Sequence, residues 1–180
     1  MECKHCCTKI NKIGVKTPDT TILDNVSLHL HCGELTVIVG KNGAGKTTFM
    51  RVALSLTPKD SGEVIYYDNK SINDIGLKVG SLIESPGIYK NASAYENMKR
   101  FSILYGADGS KINEILNMVG LGNTGKRKAK DFSLGMRQRL GIAIALLGNP
   151  ELLILDEPIN GLDPEGINEL RDLIKELAQK

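Results

Sequence analysis

Residues 40–48 read Gly-Lys-Asn-Gly-Ala-Gly-Lys-Thr-Thr, and no other stretch restricts the fold of this chain so strongly. The spacing is G-x-x-x-x-G-K-[ST], a loop that holds phosphate through its own backbone. Glycines let successive N–H groups curl round an anion, and a helix starting at the end of the loop adds a partial positive charge. The flanks suit that geometry. The apolar run Leu35 to Val39 predicts a buried strand entering the loop, and Phe49, Val52, Ala53 and Leu56 recur at helical spacing after it. Gly40, Asn42, Gly43 and Gly45 then shape the loop, and Lys46 reaches the β- and γ-phosphates. Thr47 offers its hydroxyl to Mg2+, with Thr48 beside it on the nucleotide.

Such a loop acts with a second motif, and Leu152-Leu153-Ile154-Leu155-Asp156-Glu157 supplies one. Four apolar residues ending in a carboxylate predict a fully buried strand, with Asp156 at its C-terminal edge to position Mg2+ and its waters. Glu157, one step further, can polarise a water for in-line attack on the γ-phosphate.

The remaining elements follow from periodicity. Val26, Leu28 and Leu30 alternate with Ser27, His29 and His31 as a half-buried strand does. Residues 63–67 and 79–83 read as further strands, the second ending in Glu84-Ser85-Pro86-Gly87. Helical patterns cover Ser93 to Tyr105, through Tyr95, Met98, Phe101, Ile103 and Leu104, and Lys111 to Val119, through Ile112, Ile115, Leu116 and Val119. Ser133 predicts the N-cap of a helix running to about Gly148, apolar nearly all round its second half. Asp163-Pro164 opens a last helix with Ile167, Leu170, Ile174 and Leu177 on one face. The order predicts an α/β P-loop fold with a parallel core sheet, an N-terminal antiparallel β portion, and a helical subdomain inserted at about residues 86–130 of a single domain spanning 1–180.

Composition removes several function classes. A net charge of +2 gives no electrostatic footprint for nucleic acid, and Lys126, Arg127, Lys128 and Lys130 read as a solvated face. No apolar segment approaches the roughly 20 residues of a membrane span, and no signal-peptide core is present, so the chain reads as cytoplasmic and reaches a membrane only through a partner. The cysteines at 3, 6, 7 and 32 are then expected as reduced thiols. Cys3, His5, Cys6 and Cys7 admit two readings, a zinc site or a strand-bound terminus.

Between the two half-sites lies Phe132-Ser133-Leu134-Gly135-Met136, followed by Arg137-Gln138-Arg139. Here the chain resembles the ATP-binding subunits of ABC transporters, whose signature, LSGGQ in its common form, opens a helix before the second strand motif. Ser133 and Gly135 match, whereas Leu134 and Met136 depart from the common Gly and Gln. Gly161-Leu162-Asp163 matches the family's D-loop, and the resemblance covers nearly the whole chain. It implies an Mg2+-dependent ATPase in which two subunits sandwich two ATPs head to tail. Ser133, the Gly135 amide and Asp163 would then complete the nucleotide site of the opposite subunit, and the cycle would drive a membrane permease.

Departures from the family pattern sharpen the expectation. Glu84 stands where the family usually has Gln, so a carboxylate approaches the Mg2+ and the attacking water. With Ser-Leu-Gly-Met, it resembles the branch associated with bacitracin and lantibiotic self-protection. Residues 10–20 hold no aromatic to stack on adenine. His5, His29 and His31 all precede the phosphate loop, so the family's switch histidine and its strand are expected to be missing after the last helix. The N-terminal Cys/His cluster looks closer to metal-ion ABC subunits. The leading expectation is the subunit powering export of a peptide antibiotic or similar amphiphile. Alternatives are the ATP-binding subunit of a metal-ion transporter and a nucleotide-binding module that does not hydrolyse. A soluble ABC protein working on DNA or ribosomes is disfavoured by the lack of tandem domains, coiled-coil inserts or basic arms.

Overall fold

The computed structural model describes residues 6–66 and 78–179. Contacts divide the chain into two compact units, Met1–Gly76 with Ala178–Lys180, and Leu77–Leu177.

The first unit is built on an antiparallel sheet of β1 (Cys6–Lys16), β2 (Thr21–His31) and β3 (Ser61–Tyr66), in the order β2-β1-β3. Its central strand gives a broken sequence signal. Thr8 and Ile10 are buried, then Ile13 and Val15, so the alternation slips by one at Lys12, whose φ is 51°. There the register passes from Ile10↔Leu28 to Ile13↔Val26, a bulge on β1. Asn25, with φ 53°, is the compensating bulge on β2, between Ile13↔Val26 and Val15↔Leu23. The two slips keep the apolar residues of both strands on one face. The predicted alternation of Val26, Leu28 and Leu30 holds, with Ser27, His29 and His31 exposed. Gly62 faces the β1 bulge with φ 83°, and a Cβ there would lie 2.4 Å from the Asn11 carbonyl oxygen. Helix α1 (Lys46–Ala53) buries Phe49, Val52 and Ala53. The buried Tyr66 hydroxyl donates to the Ala53 carbonyl and fastens the end of α1 to β3.

Three expectations for this unit are corrected. Residues 35–39 form no strand, and Leu35, Val37 and Val39 are exposed, Val39 at 88%. An apolar run becomes a strand only where its backbone groups find a ladder, and among the described residues none pairs with this one. Leu56 is exposed because α1 ends before it, and Leu54 is buried instead. Cys32 is disulfide-bonded rather than reduced, at a point where the backbone of Cys6 pairs with that of the adjacent His31. The proposed zinc ligands Cys3 and His5 lie outside the described residues, as do the side chains of Cys6 and Cys7.

The second unit carries a parallel pair, β4 (Val79–Leu82) and β5 (Leu152–Leu155), in register from Val79↔Leu152 to Leu82↔Leu155. Around it stand α2 (Ala94–Tyr105), α3 (Ile112–Met118), α4 (Leu134–Ala145) and α5 (Pro164–Ala178). Met98, Ile112, Leu116, Leu121, Leu140, Ile142 and Leu170 form its core. The insert predicted near residues 86–130 contains α2, α3 and three short 3-10 turns. On α5, Leu170 and Leu173 are buried, while Ile167, Ile174 and Leu177 are half-buried.

The α2 face is corrected. Met98 is buried and Phe101 half-buried, but Tyr95, Ile103 and Leu104 are exposed, and Ala94, Asn97 and Ser102 take the inner positions. Asn97 can be buried because its side chain is fully used. Its amide donates to the carbonyls of Tyr89 (3.1 Å), Ala92 (3.3 Å) and Ser93 (2.9 Å), and its oxygen accepts from the Tyr89 N–H at 2.7 Å. The chain after β4 is thereby stapled to the start of α2. A capping box starts that helix: Ser93 Oγ accepts from the Glu96 N–H (3.2 Å), and the Glu96 carboxylate accepts from the Ser93 N–H (2.7 Å). These bonds from Ser93 hold the Glu96 carboxyl below its usual pKa. Strand β5 is half-buried, not fully buried, because among the described residues it pairs with β4 alone. Helix α4 stops at Ala145, short of Gly148, and the chain turns through Leu146 and Leu147.

Candidate functional site

The phosphate-loop residues lie in the first unit. Gly43 (φ 80°) and Gly45 (φ 89°) hold the left-handed backbone that side-chain-bearing residues enter only at a cost. Gly45 is the N-cap of α1, and a Cβ on it would sit 3.0 Å from the Ile22 carbonyl oxygen and from Leu23 Cδ2. The Ala44 N–H donates to the Lys41 carbonyl at 3.1 Å, closing the turn. The Lys46 ammonium donates to the carbonyls of Gly40 (3.1 Å) and Lys41 (3.2 Å), folding over the loop it leaves. Thr47 and Thr48 are half-buried on the first turn of α1, and Asn42 is exposed. That turn carries no acidic residue to offset the positive helix terminus. An ammonium, a helix N-terminus with no side-chain cap and a Gly-shaped loop together suit a polyphosphate.

The second unit gathers the carboxylates. The Asp156 N–H donates to the Leu82 carbonyl at 2.8 Å, extending the β4–β5 ladder past its last pair. Glu84 follows Leu82, and Glu157 follows Leu155, by the same two residues. Both therefore leave the C-terminal edge at one level, from paired strands whose backbones run about 4.8 Å apart. Both also turn off the sheet with positive φ, 62° at Glu84 and 45° at Glu157. Left-handed backbone at non-glycine residues costs on the order of 1 kcal/mol or more each, so the fold maintains two strained turns beside each other. Asp156, at the end of β5, is 4% exposed, whereas Glu84 and Glu157 are exposed. Asn160 was not singled out from sequence. Its amide donates to the Glu157 carboxylate, and its N–H donates to the Glu157 carbonyl at 3.1 Å. An Asn three residues past an acid in a Pro-containing turn was the available signal.

Among the described residues no group of three or more His, Cys, Asp or Glu side chains is arranged to hold a metal. Mg2+ asks for less, because it takes one or two carboxylates and fills its octahedron with water and phosphate oxygens. Within the second unit, the hard carboxylate oxygens of Asp156 and Glu84 fit that requirement; Thr47, in the first unit, carries a hydroxyl oxygen of the same kind.

Ser133 caps α4, its Oγ accepting from the Met136 N–H at 3.2 Å, and remains exposed. A Cβ on Gly161 (φ 73°) would lie 2.8 Å from Leu134 Cδ2, and one on Gly135 would lie 3.5 Å from Leu162 Cδ2. The segment 161–162 therefore packs on the start of α4, using the leucine that replaces the common glycine. Asp163 Oδ1 accepts from the Gly166 N–H at 3.2 Å, capping α5. The structure thus brings Glu84, Asp156 and Glu157 together at one sheet edge, and the Ser133–Gly135 segment together with the turn before Asp163.

The profile of the family described as "ABC transporter" matches residues 23–160. The lantibiotic transport ATP-binding protein SrtF of Streptococcus pyogenes is 48% identical over 167 residues, which cover 93% of this chain and 73% of SrtF. The bacitracin transport ATP-binding protein BcrA of Enterococcus faecalis is 43% identical over 166 residues, 90% of this chain, which spans 54% of BcrA. Among solved structures, an ATP-binding cassette of an ABC transporter in its ADP conformation superposes with a TM-score of 0.85 at 24% identity, over 97% of this chain and 78% of that one. The cbiO1 protein from Clostridium perfringens, part of the ABC transporter complex cbiONQ, gives 0.84 at 25% identity, over 98% and 75%.

Proposed function

This chain belongs to the ABC transporter family as an ATP-binding subunit, and from that premise we propose that it hydrolyses Mg-ATP to power export of a peptide antibiotic or similar amphiphile through a membrane permease. The observation that carries the reading is the level placement of Glu84 and Glu157 at the sheet edge that ends in the buried Asp156. It occurs in a chain whose relatives are named for lantibiotic and bacitracin transport.

In this reading Gly40, Asn42, Gly43 and Gly45 present the loop to the phosphates, with Lys46 neutralising β- and γ-oxygens and Thr48 completing the cradle. Thr47, Asp156 and Glu84 hold Mg2+, which when bound neutralises charge on the triphosphate. Glu157 accepts the proton of the attacking water, and Asn160 orients its carboxylate. Ser133, Gly135 and Asp163 serve a second ATP-binding subunit, whose own copies complete this site in a head-to-tail dimer. Among the described residues no helix is long and apolar enough to cross a membrane, so the permease supplies the membrane path.

The test is Mg-ATP-dependent phosphate release by the full chain. Glu157→Gln should lower turnover about 100-fold or more while leaving Mg-ATP affinity intact, the size typical of losing a positioned acid–base group. Equal turnover in the two proteins would remove Glu157 from the reaction.

A further inference from the structure

Gln138 has no task in the reading above. It lies on α4, five residues past Ser133, and is 6% exposed. Its Oε1 is buried and accepts no hydrogen bond. Such an oxygen is a standing cost that a methionine of similar length would not carry.

Two close approaches fix what Gln138 faces. A Cβ on Gly80 would lie 2.3 Å from the Ala145 carbonyl oxygen. One on Gly141 would lie 2.9 Å from Leu82 Cδ1 and 2.7 Å from Pro86 Cβ. β4 and α4 therefore touch closely and run in opposite senses. Two residues up the strand, about 6.6 Å, match four residues down the helix, about 6 Å. Pro86 meets Gly141 as Leu82 does, so the chain turns over between them, and that turn, which carries Glu84 and Ser85, lies against the Gly141 face of α4. Gln138 precedes Gly141 by three positions, so it shares the helix face that meets Leu82 and Pro86.

We propose that Gln138 is a positioning residue, whose Oε1 accepts the Ser85 hydroxyl and fixes the Glu84 turn to α4 when Mg-ATP is bound. The inference rests on the reading that Glu84 attends the Mg-ATP. In this structure the turn holds the strained left-handed backbone at Glu84, Ser85 is exposed, and the Gln138 oxygen has no donor. Drawing the Glu84 carboxylate toward the metal rotates the turn, relaxes that φ, and swings the Ser85 hydroxyl onto the buried oxygen. Two unfavourable features of the resting state are relieved together, so Mg-ATP gains affinity for the closed turn over the open one. The signature helix and the Glu84 turn then move as one body.

The test compares wild type with Gln138→Met and Ser85→Ala as full chains, reading Mg-ATP affinity and amide exchange of residues 83–88. Each variant should bind Mg-ATP roughly 3- to 10-fold more weakly, the worth of one hydrogen bond, and lose the nucleotide-induced protection of that segment. The double variant should be no worse than either single one. Equal affinity and equal protection in wild type and variants would overturn the proposal. Ser85 is exposed, so Ser85→Ala alone decides should Gln138→Met fail to fold. A wild-type chain that binds no Mg-ATP would instead overturn the functional reading, and this inference with it.

Discussion

Asn97→Ala removes the staple between the Glu84 segment and α2, and its cost can be worked from the hydrogen bonds lost. Asn97 is fully buried and its side chain serves four backbone groups. Three of those have other partners: the Tyr89 carbonyl also accepts from the Ala92 N–H, the Ala92 carbonyl from the Ala129 N–H, and the Ser93 carbonyl from the Asn97 N–H. The Tyr89 N–H loses its Asn97 partner. At about 1–2 kcal/mol for that stranded group, the variant should lose about 1–2 kcal/mol. The upper half of the range of 1–3 kcal/mol per group is set aside, because Tyr89 is 49% exposed and water can reach part of the gap. Urea denaturation followed by circular dichroism measures it, as a lower midpoint with an unchanged slope. Amide exchange of residues 84–92 should rise at the same time, because the staple holds that segment. A loss under about 0.5 kcal/mol, the scatter of surface substitutions, would refute the view that Asn97 organises this loop.

Three further outcomes follow from the same structure. Glu157→Gln with Mg-ATP should accumulate dimers by light scattering, and adding Ser133→Arg should return monomers; dimers that persist would separate the signature from the interface. Leu140, fully buried in the second unit, should cost about 2–5 kcal/mol when cut to Ala, measured by urea titration. The third concerns pH. The Ser93 bonds lower the Glu96 carboxyl below 4.5, its ordinary value, so the folded-state pKa is depressed. That contribution is fully present above the ordinary value and is lost as pH falls through the lower folded one. The difference in urea midpoint between wild type and Glu96→Ala should therefore be constant near neutrality and shrink only in acid; a difference that grows in acid would reverse the assigned sign.

Local chemistry was legible in the sequence and pairing was not. The phosphate loop, the Ser133 cap and the acidic end of β5 each depend on residues within a few positions, so their patterns survive without the fold. Strand β1 was invisible because the bulge at Lys12 shifts its apolar residues out of phase. The α2 face was misread because a buried Asn97 takes a place where periodicity looks for an apolar side chain. Residues 35–39 have the composition of a strand, but a ladder requires a partner that composition cannot specify. The level placement of Glu84 and Glu157 arises from the β4–β5 register, across residues far apart in sequence.

The central claim is that the loop from Gly40 to Thr48 is the nucleotide site, with the Lys46 ammonium placed over it to neutralise phosphate. Equilibrium titration of Mg-ATP into wild type and Lys46→Ala tests it most directly. Wild type should bind with saturation, and Lys46→Ala should show no measurable binding while keeping its thermal midpoint without nucleotide. Tight Mg-ATP binding retained by Lys46→Ala would contradict the claim, because the nucleotide would then be held elsewhere.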